Sequence, residues 1–318
     1  MSTEIVASQT QQASQVPPTP EPAADPTPAS SVPARQPSRK TLALRAFARD
    51  KAAVAALVVL LLAVGGAIFA PLLTSYDPYA GDSSVRLAPM FTPGHWLGLD
   101  GQGRDIWSRL LYGGRYSLTV AFVPVLCVFP IALAMGLFAG ATKSRLGGIA
   151  MRVLDAVFAF PIVLLALALA AVFGGGLGNV MMAIGITLLP YMTRVAYNAT
   201  VQEIGKEYID AAKVAGSTGA QILFKQLLPN VVSPLVVYAT STMGLMIVTA
   251  SGLSFLGVGI TPPTPDWGVM TSDGSQVLLE GYAHVATIPG FAVLVVALAF
   301  NLLGDGIRDA LDPHKQTS

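Results

Sequence analysis

Charge is scarce in these 318 residues: 12% are Asp, Glu, Lys or Arg, and none of these falls within 52–76, 116–142, 156–193, 226–265 or 281–304. The span interiors also hold no acid, lysine or histidine that could carry a proton or sodium ion, which argues against ion-coupled transport. No glycine-rich loop ends in Gly-Lys-Ser or Gly-Lys-Thr, so no phosphate cradle for ATP is present. The single cysteine, Cys127, excludes an intrachain disulfide and a paired-thiolate metal site. Three scattered histidines, His95, His284 and His314, make no metal cluster, and a net charge of +1 gives no basic field for nucleic acid. No cofactor, no metal and no catalysed reaction are expected.

What is abundant is apolar surface. Hydrophobic residues are 53% of the chain and mean hydropathy is +0.60, more than a soluble fold can hide. About 20 apolar residues in a helix cross a hydrocarbon core of about 30 Å, so each charge-free stretch is long enough to span a bilayer. The expected spans are 52–73, 117–140, two antiparallel helices within 156–197, 231–253 and 285–304. The two helices are divided at Gly174-Gly175-Gly176-Leu177-Gly178-Asn179, because clustered glycines supply the positive φ that a tight turn needs. The fold class is thus all-α membrane protein with six transmembrane helices.

Lysine and arginine set the expected orientation. Fifteen of them flank one side of the six spans and four the other, all four in the first loop, so both termini and the 198–230 loop are expected in the cytoplasm. Residues 1–40 hold eight of the 23 prolines among Ser, Thr, Gln and Ala, and read as a disordered tail without a signal-peptide pattern. The expected organisation is a tail over 1–40, a first helix with its extracytoplasmic segment over 41–115, a five-helix core over 116–310 and a short tail over 311–318.

A transporter without its own energy source needs a partner to supply work, and the 198–230 loop is the largest inner contact. Glu207-Tyr208-Ile209-Asp210-Ala211-Ala212-Lys213-Val214-Ala215-Gly216 predicts a short helix stopped by a reversal at Gly216. Ile209, Val214, Ile222 and Phe224 offer apolar groups to a protein groove, and Pro229 suits the first turn of the next span. In that span Tyr238, Thr242, Met246 and Thr249 recur three or four residues apart. Such a face either lines a hydrated path or packs helices against each other. Ile106, Leu110 and Leu111, with Trp107, predict an interfacial helix within 100–115, in preference to a segment that contacts substrate or a binding protein directly.

The loop resembles the Glu-Ala-Ala loop of the membrane subunits of bacterial ABC importers, a pattern of Glu-Ala-Ala, three residues, Gly, nine residues, Ile, any residue and Leu-Pro. Asp210-Ala211-Ala212, Gly216, Leu228 and Pro229 match it, with Asp210 in place of Glu and Gln226 in place of Ile. His95-Trp96-Leu97-Gly98-Leu99-Asp100-Gly101-Gln102-Gly103-Arg104-Asp105, then Thr261-Pro262-Pro263-Thr264-Pro265-Asp266-Trp267-Gly268, then Asn301-Leu302-Leu303-Gly304-Asp305-Gly306 are similar to the C-type membrane subunit of the dipeptide, oligopeptide and nickel permease family. That family commonly has Gly-Thr-Asp where this chain has Gly98-Leu99-Asp100.

The resemblance implies a type I importer permease that forms half of a translocation pathway, with peptides as favoured cargo and nickel as the alternative within the family. It implies Glu207, Tyr208, Asp210, Ala211, Ala212, Gly216, Phe224, Leu228 and Pro229 as contacts to cytoplasmic ATPase subunits. A homologous second permease and an extracytoplasmic binding protein are the further partners, in a bacterial inner membrane. An ion-coupled transporter and a non-transporting scaffold subunit remain the readings from other classes.

Overall fold

A computed structural model describes residues 39–142 and 144–311; the expectations for the tails over 1–38 and 312–318 lie outside the described residues. Helix α1 (Arg39–Arg49) leads into α2 (Lys51–Ile68), whose start is capped by Asp50 accepting from Ala52 N at 2.9 Å and Ala53 N at 3.2 Å. The first span was expected to run through residue 73. It closes instead at Ile68, and Pro71 opens a separate short helix, α3 (Ala70–Leu73).

After a long loop, α4 (Ile106–Thr142) runs 37 residues as one helix, with Pro124 and Pro130 inside it, about 55 Å at 1.5 Å per residue. The helix expected within 100–115 starts at Ile106 and is continuous with the second span, as the first part of α4. Gly113 and Gly114 do not break the helix there. They admit the backbone of Asp266 to 3.3 Å and the ring of Trp267 to 3.2 Å of where a Cβ would sit.

The third span also departs from expectation. Helices α5 (Arg145–Phe158) and α6 (Ile162–Phe173) meet at a 90° bend, because Pro161 lacks an N–H and disfavours helical geometry at Phe160. Twelve residues of α6 reach only about 18 Å, so the sixth crossing exists only if the bent pair counts as one span. Among the described residues five helices are long and apolar enough to cross by themselves. The glycine turn predicted next is present: Gly174 and Gly176 hold φ of 83° and 116°, and Asn179 Nδ2 ties back to the Phe173 carbonyl at 2.8 Å.

From that turn α7 (Leu177–Ile204) runs parallel to α4, with Gly136 and Gly140 as the points of closest approach. A Cβ on Gly136 would lie 2.5 Å from that of Ala196. Helices α8 (Glu207–Val214), α9 (Gly219–Gln221) and a π-helical stretch at Ile222–Leu227 precede α10 (Leu228–Phe255). Helix α11 (Trp267–Gln276) and the long α12 (Ala283–Leu311) follow. Helices α10 and α12 cross antiparallel where Gly244 meets the Ala297 carbonyl and Gly304 meets Ser241, and α12 reaches α2 where Gly306 faces Ala53. Small residues carry every tight crossing, as packing in lipid favours.

Candidate functional site

At one end of the bundle α8 stands away from the core. Its anchor is Ile209, which is completely buried, whereas Glu207, Tyr208, Asp210, Ala211 and Val214 are exposed and Ala212 is half-buried. Asp210 pairs with Lys213 at 2.8 Å along the helix, and Glu207 and Asp210 lie in the first turn where the helix dipole favours negative charge. The reversal forms at Gly216, with φ of 82°. Gly216 N donates to the Lys213 carbonyl and Ser217 N to the Ala212 carbonyl, each at 3.0 Å, the double bond of a Schellman stop.

Both neighbouring spans hold α8 through Tyr208. Its hydroxyl donates to Glu203 Oε2 at 2.7 Å at the end of α7 and accepts from Asn230 Nδ2 at 3.2 Å at the start of α10. Partial burial, with the Glu203 carboxylate, pushes the Tyr208 phenol up from its ordinary value, so it stays a donor. Lys206 also pairs with Glu203. On the return, Thr218 and Gln221 form a reciprocal capping box, and Leu228 and Pro229 form the first turn of α10 as predicted.

Two corrections follow for the apolar groups expected on this surface. Ile209 and Ile222 are buried within the chain and are spent on holding the loop, while Val214 is 90% exposed. Phe224 is exposed but lines a cavity of about 340 Å³ against Pro130, Leu133 and Phe138 of α4. A second cavity, of about 660 Å³, lies beside α8, between Gly140, Gly147, Tyr197 and Lys213.

The candidate pathway residues lie mostly within the packing of this chain. Thr242, Met246 and Thr249 are packed inside this subunit and Tyr238 is half-buried. The Thr242 and Thr249 hydroxyls donate to the carbonyls four residues back, at 2.7 and 2.9 Å, so they require no water. Beyond its first turn, the exposed residues of α10 are Pro234, Leu245, Val248, Gly252 and Phe255.

The opposite end holds an ionic network that sequence reasoning missed. Asp100, Arg104, Asp105 and Arg109 are each 5% exposed or less. Asp100 Oδ2 accepts from Arg104 Nε at 2.7 Å, Arg104 reaches Asp273 of α11 at 3.2 Å, and Arg109 lies 3.5 Å from Asp100. Burial of such charges is tolerated only when they are paired, so this network sets the fold of the 74–105 loop. Its sequence signal was four alternating charges within ten residues of a charge-poor chain.

A bundle of membrane-length helices with a short exposed helix between two spans is the architecture of a transport permease. Residues 132–317 match the family described as binding-protein-dependent transport system inner membrane component, and residues 38–89 match the N-terminal transmembrane domain of oligopeptide transport permease C. The chain is 41% identical over 269 residues to the glutathione transport system permease protein GsiD of Pectobacterium atrosepticum, covering 85% of this chain and 89% of that one. It is 40% identical over 272 residues to the dipeptide transport system permease protein DppC of Escherichia coli, covering 84% and 90%. Among solved structures, the inward-facing MetNI methionine ABC transporter aligns with a TM-score of 0.53 at 22% identity, over 65% of this chain and 97% of that one, a likeness of fold.

The chain belongs to the binding-protein-dependent transport system inner membrane components, as an ABC importer permease of the C-subunit type. It is a multi-pass inner-membrane permease and not itself an ATPase; its class implies an ATPase and a binding protein as partners.

Proposed function

We propose that this chain is half of the translocation pathway for di- and oligopeptides and that α8 is the lever through which an ATPase drives it. The observation that carries the reading is the placement of α8: exposed on one side, anchored by Ile209 on the other, and tied through Tyr208 to the ends of both α7 and α10. A push on such a helix reaches two spans at once. Glu207, Tyr208, Asp210, Ala211, Ala212 and Gly216 form the docking surface, with Leu228 and Pro229 as its rigid return and Phe224 beside it.

A homologous permease completes the pathway, and the exposed face of α10 through Leu245 and Val248 turns toward it. Both termini and α8 lie in the cytoplasm, in line with the fifteen-to-four split of basic residues. The peptide cargo is supported by relatives named for dipeptide and glutathione transport.

The test is reconstitution of the chain with its partner permease, ATPases and binding protein in sealed vesicles. ATP-dependent accumulation of a labelled dipeptide is expected, with Ni²⁺ left outside. Uptake driven by an ion gradient without ATP, or accumulation of Ni²⁺ alone, overturns the reading. Ser217→Cys reacting with an impermeant maleimide only from the cytoplasmic side, in a Cys127→Ser background, tests the orientation separately.

A further inference from the structure

A pocket in the loop between α3 and α4 is left unused by transport coupling. Its volume is about 300 Å³, and Tyr76, Trp96 and Trp107 wall it together with Leu73 and Gly94. Asp105 lines it too, although that residue is only 4% exposed. The box therefore combines three aromatic rings with one buried carboxylate.

The rings are held in position. Trp107 Nε1 donates to the Leu73 carbonyl at 3.4 Å, and Tyr76 packs on His95 with ring centroids 4.6 Å apart. Gly94, at φ of 86°, makes room for Tyr76, since a Cβ there would lie 2.7 Å from the phenol oxygen. Trp96 is 77% exposed and forms an open wall at the mouth.

The Asp105 carboxylate has acceptor capacity left over. Oδ2 accepts from Ser108 N at 2.7 Å and Oδ1 meets His95 Nδ1 at 2.8 Å. Arg104 is engaged by Asp100 and Asp273, and among the described residues no lysine or arginine pairs with Asp105. A carboxylate offers about four acceptor sites, so beside Ser108 N and His95 Nδ1 two remain for a further donor.

Ring faces attract cations, and a desolvated carboxylate adds a charge-assisted hydrogen bond. We propose that this pocket binds an organic ammonium group. An anion would be repelled by Asp105, an uncharged apolar group would leave the carboxylate unmatched, and a hard metal ion would need more oxygen ligands than one side chain supplies. Two sources present the group: the ethanolamine head of a phospholipid, since Leu73 ends the short helix after the first span, and the amino terminus of a short peptide in solution.

The test uses the complete importer carrying 5-fluorotryptophan in this chain, in phosphatidylglycerol nanodiscs, with the Trp96 and Trp107 fluorine signals assigned by Trp96→Phe and Trp107→Phe. Ethylammonium is expected to shift both signals saturably, and acetate to shift neither. Asp105→Asn should weaken the response about tenfold or more, and Trp96→Ala, read at Trp107, severalfold. Trp96 lies outside the core, so the second variant reports even if the first fails to assemble. The same shifts on adding phosphatidylethanolamine identify the lipid head as the source, and shifts with dialanine but not N-acetyl-dialanine identify the peptide. No saturable response to any amine, or wild-type affinity in both variants, overturns the proposal.

Discussion

Ser117 Oγ donates at 2.6 Å to Asp266 Oδ1, joining α4 to the start of α11 across 149 positions of sequence, and it accepts from Trp267 N at 3.1 Å. Asp266 is 2% exposed, and its second oxygen accepts from Gly268 N at 3.0 Å and Val269 N at 3.3 Å. Trp267 completes the clasp by donating from Nε1 to the Leu110 carbonyl at 2.9 Å. One carboxylate thus fixes where the short helix sits against the longest one.

Removing that carboxylate strands several buried donors. Asp266→Ala is expected to destabilise the permease by about 3 kcal/mol or more, given about 1–3 kcal/mol for each donor left unsatisfied. Thermal unfolding in detergent is the measurement, with Ser117→Ala as the milder companion. Equal stability of Asp266→Ala and wild type would show that the clasp contributes nothing.

The same residue gives a pH dependence. Burial pushes the Asp266 carboxyl up, outweighing the hydrogen bonds that pull it down. The folded state then keeps a proton that the unfolded chain releases above about pH 4, so this contribution to stability is full below that point and declines as pH rises through the raised value. Asp266→Asn should flatten the decline. The comparison is apparent Tm against pH for the two proteins.

At α8 the stop depends on a left-handed residue. Nothing lies within 4 Å of a Cβ built on Gly216, so the cost of Gly216→Val is conformational, about 1–2 kcal/mol at that turn. Gly216→Val should insert normally yet lose most ATP-dependent uptake, whereas Gly216→Asn, which tolerates this conformation, should retain more. Uptake and membrane abundance measured together separate loss of coupling from loss of protein.

Tyr208→Phe removes a hydroxyl that bonds to both α7 and α10. ATPase turnover should persist while uptake per ATP falls severalfold, about what one or two hydrogen bonds of about 1 kcal/mol each can hold. Simultaneous assay of phosphate release and peptide accumulation checks it. Unchanged coupling would assign the transmission to other contacts of the loop.

Close packing of α4 on α7 predicts a contrast between two glycines. Gly136→Val meets Ala196 and the Tyr197 backbone, while Gly148 faces open space. The first should cost about 1–3 kcal/mol through overpacking, and Gly148→Val should be near neutral. Abundance and Tm of the two variants provide the reading.

Much of this arrangement was legible because lipid imposes a simple rule on composition. The charge-free stretches located the crossings, the glycine cluster located the turn at Gly174 and Gly176, and the Asp210–Gly216 pattern located α8. Hydropathy counts apolar residues without direction, so it began the third span at the very end of α5 and gave no sign of the right-angle bend before α6. The face of Tyr238, Thr242, Met246 and Thr249 stayed open in the sequence for a different reason: period alone cannot tell a threonine that greets water from one whose hydroxyl returns to its own backbone, as Thr242 and Thr249 do. The ionic network was hidden because Asp273 lies far along the chain from Asp100 and Arg104.

The unbroken length of α4 has a mechanical corollary. A rod of about 55 Å exceeds the hydrocarbon thickness by nearly its own half, and the only interior residues that interrupt its hydrogen-bond ladder are Pro124 and Pro130. A tilt imposed near Thr142 must therefore emerge as sideways travel at Ile106, enlarged by the distance from wherever these two prolines let the shaft pivot.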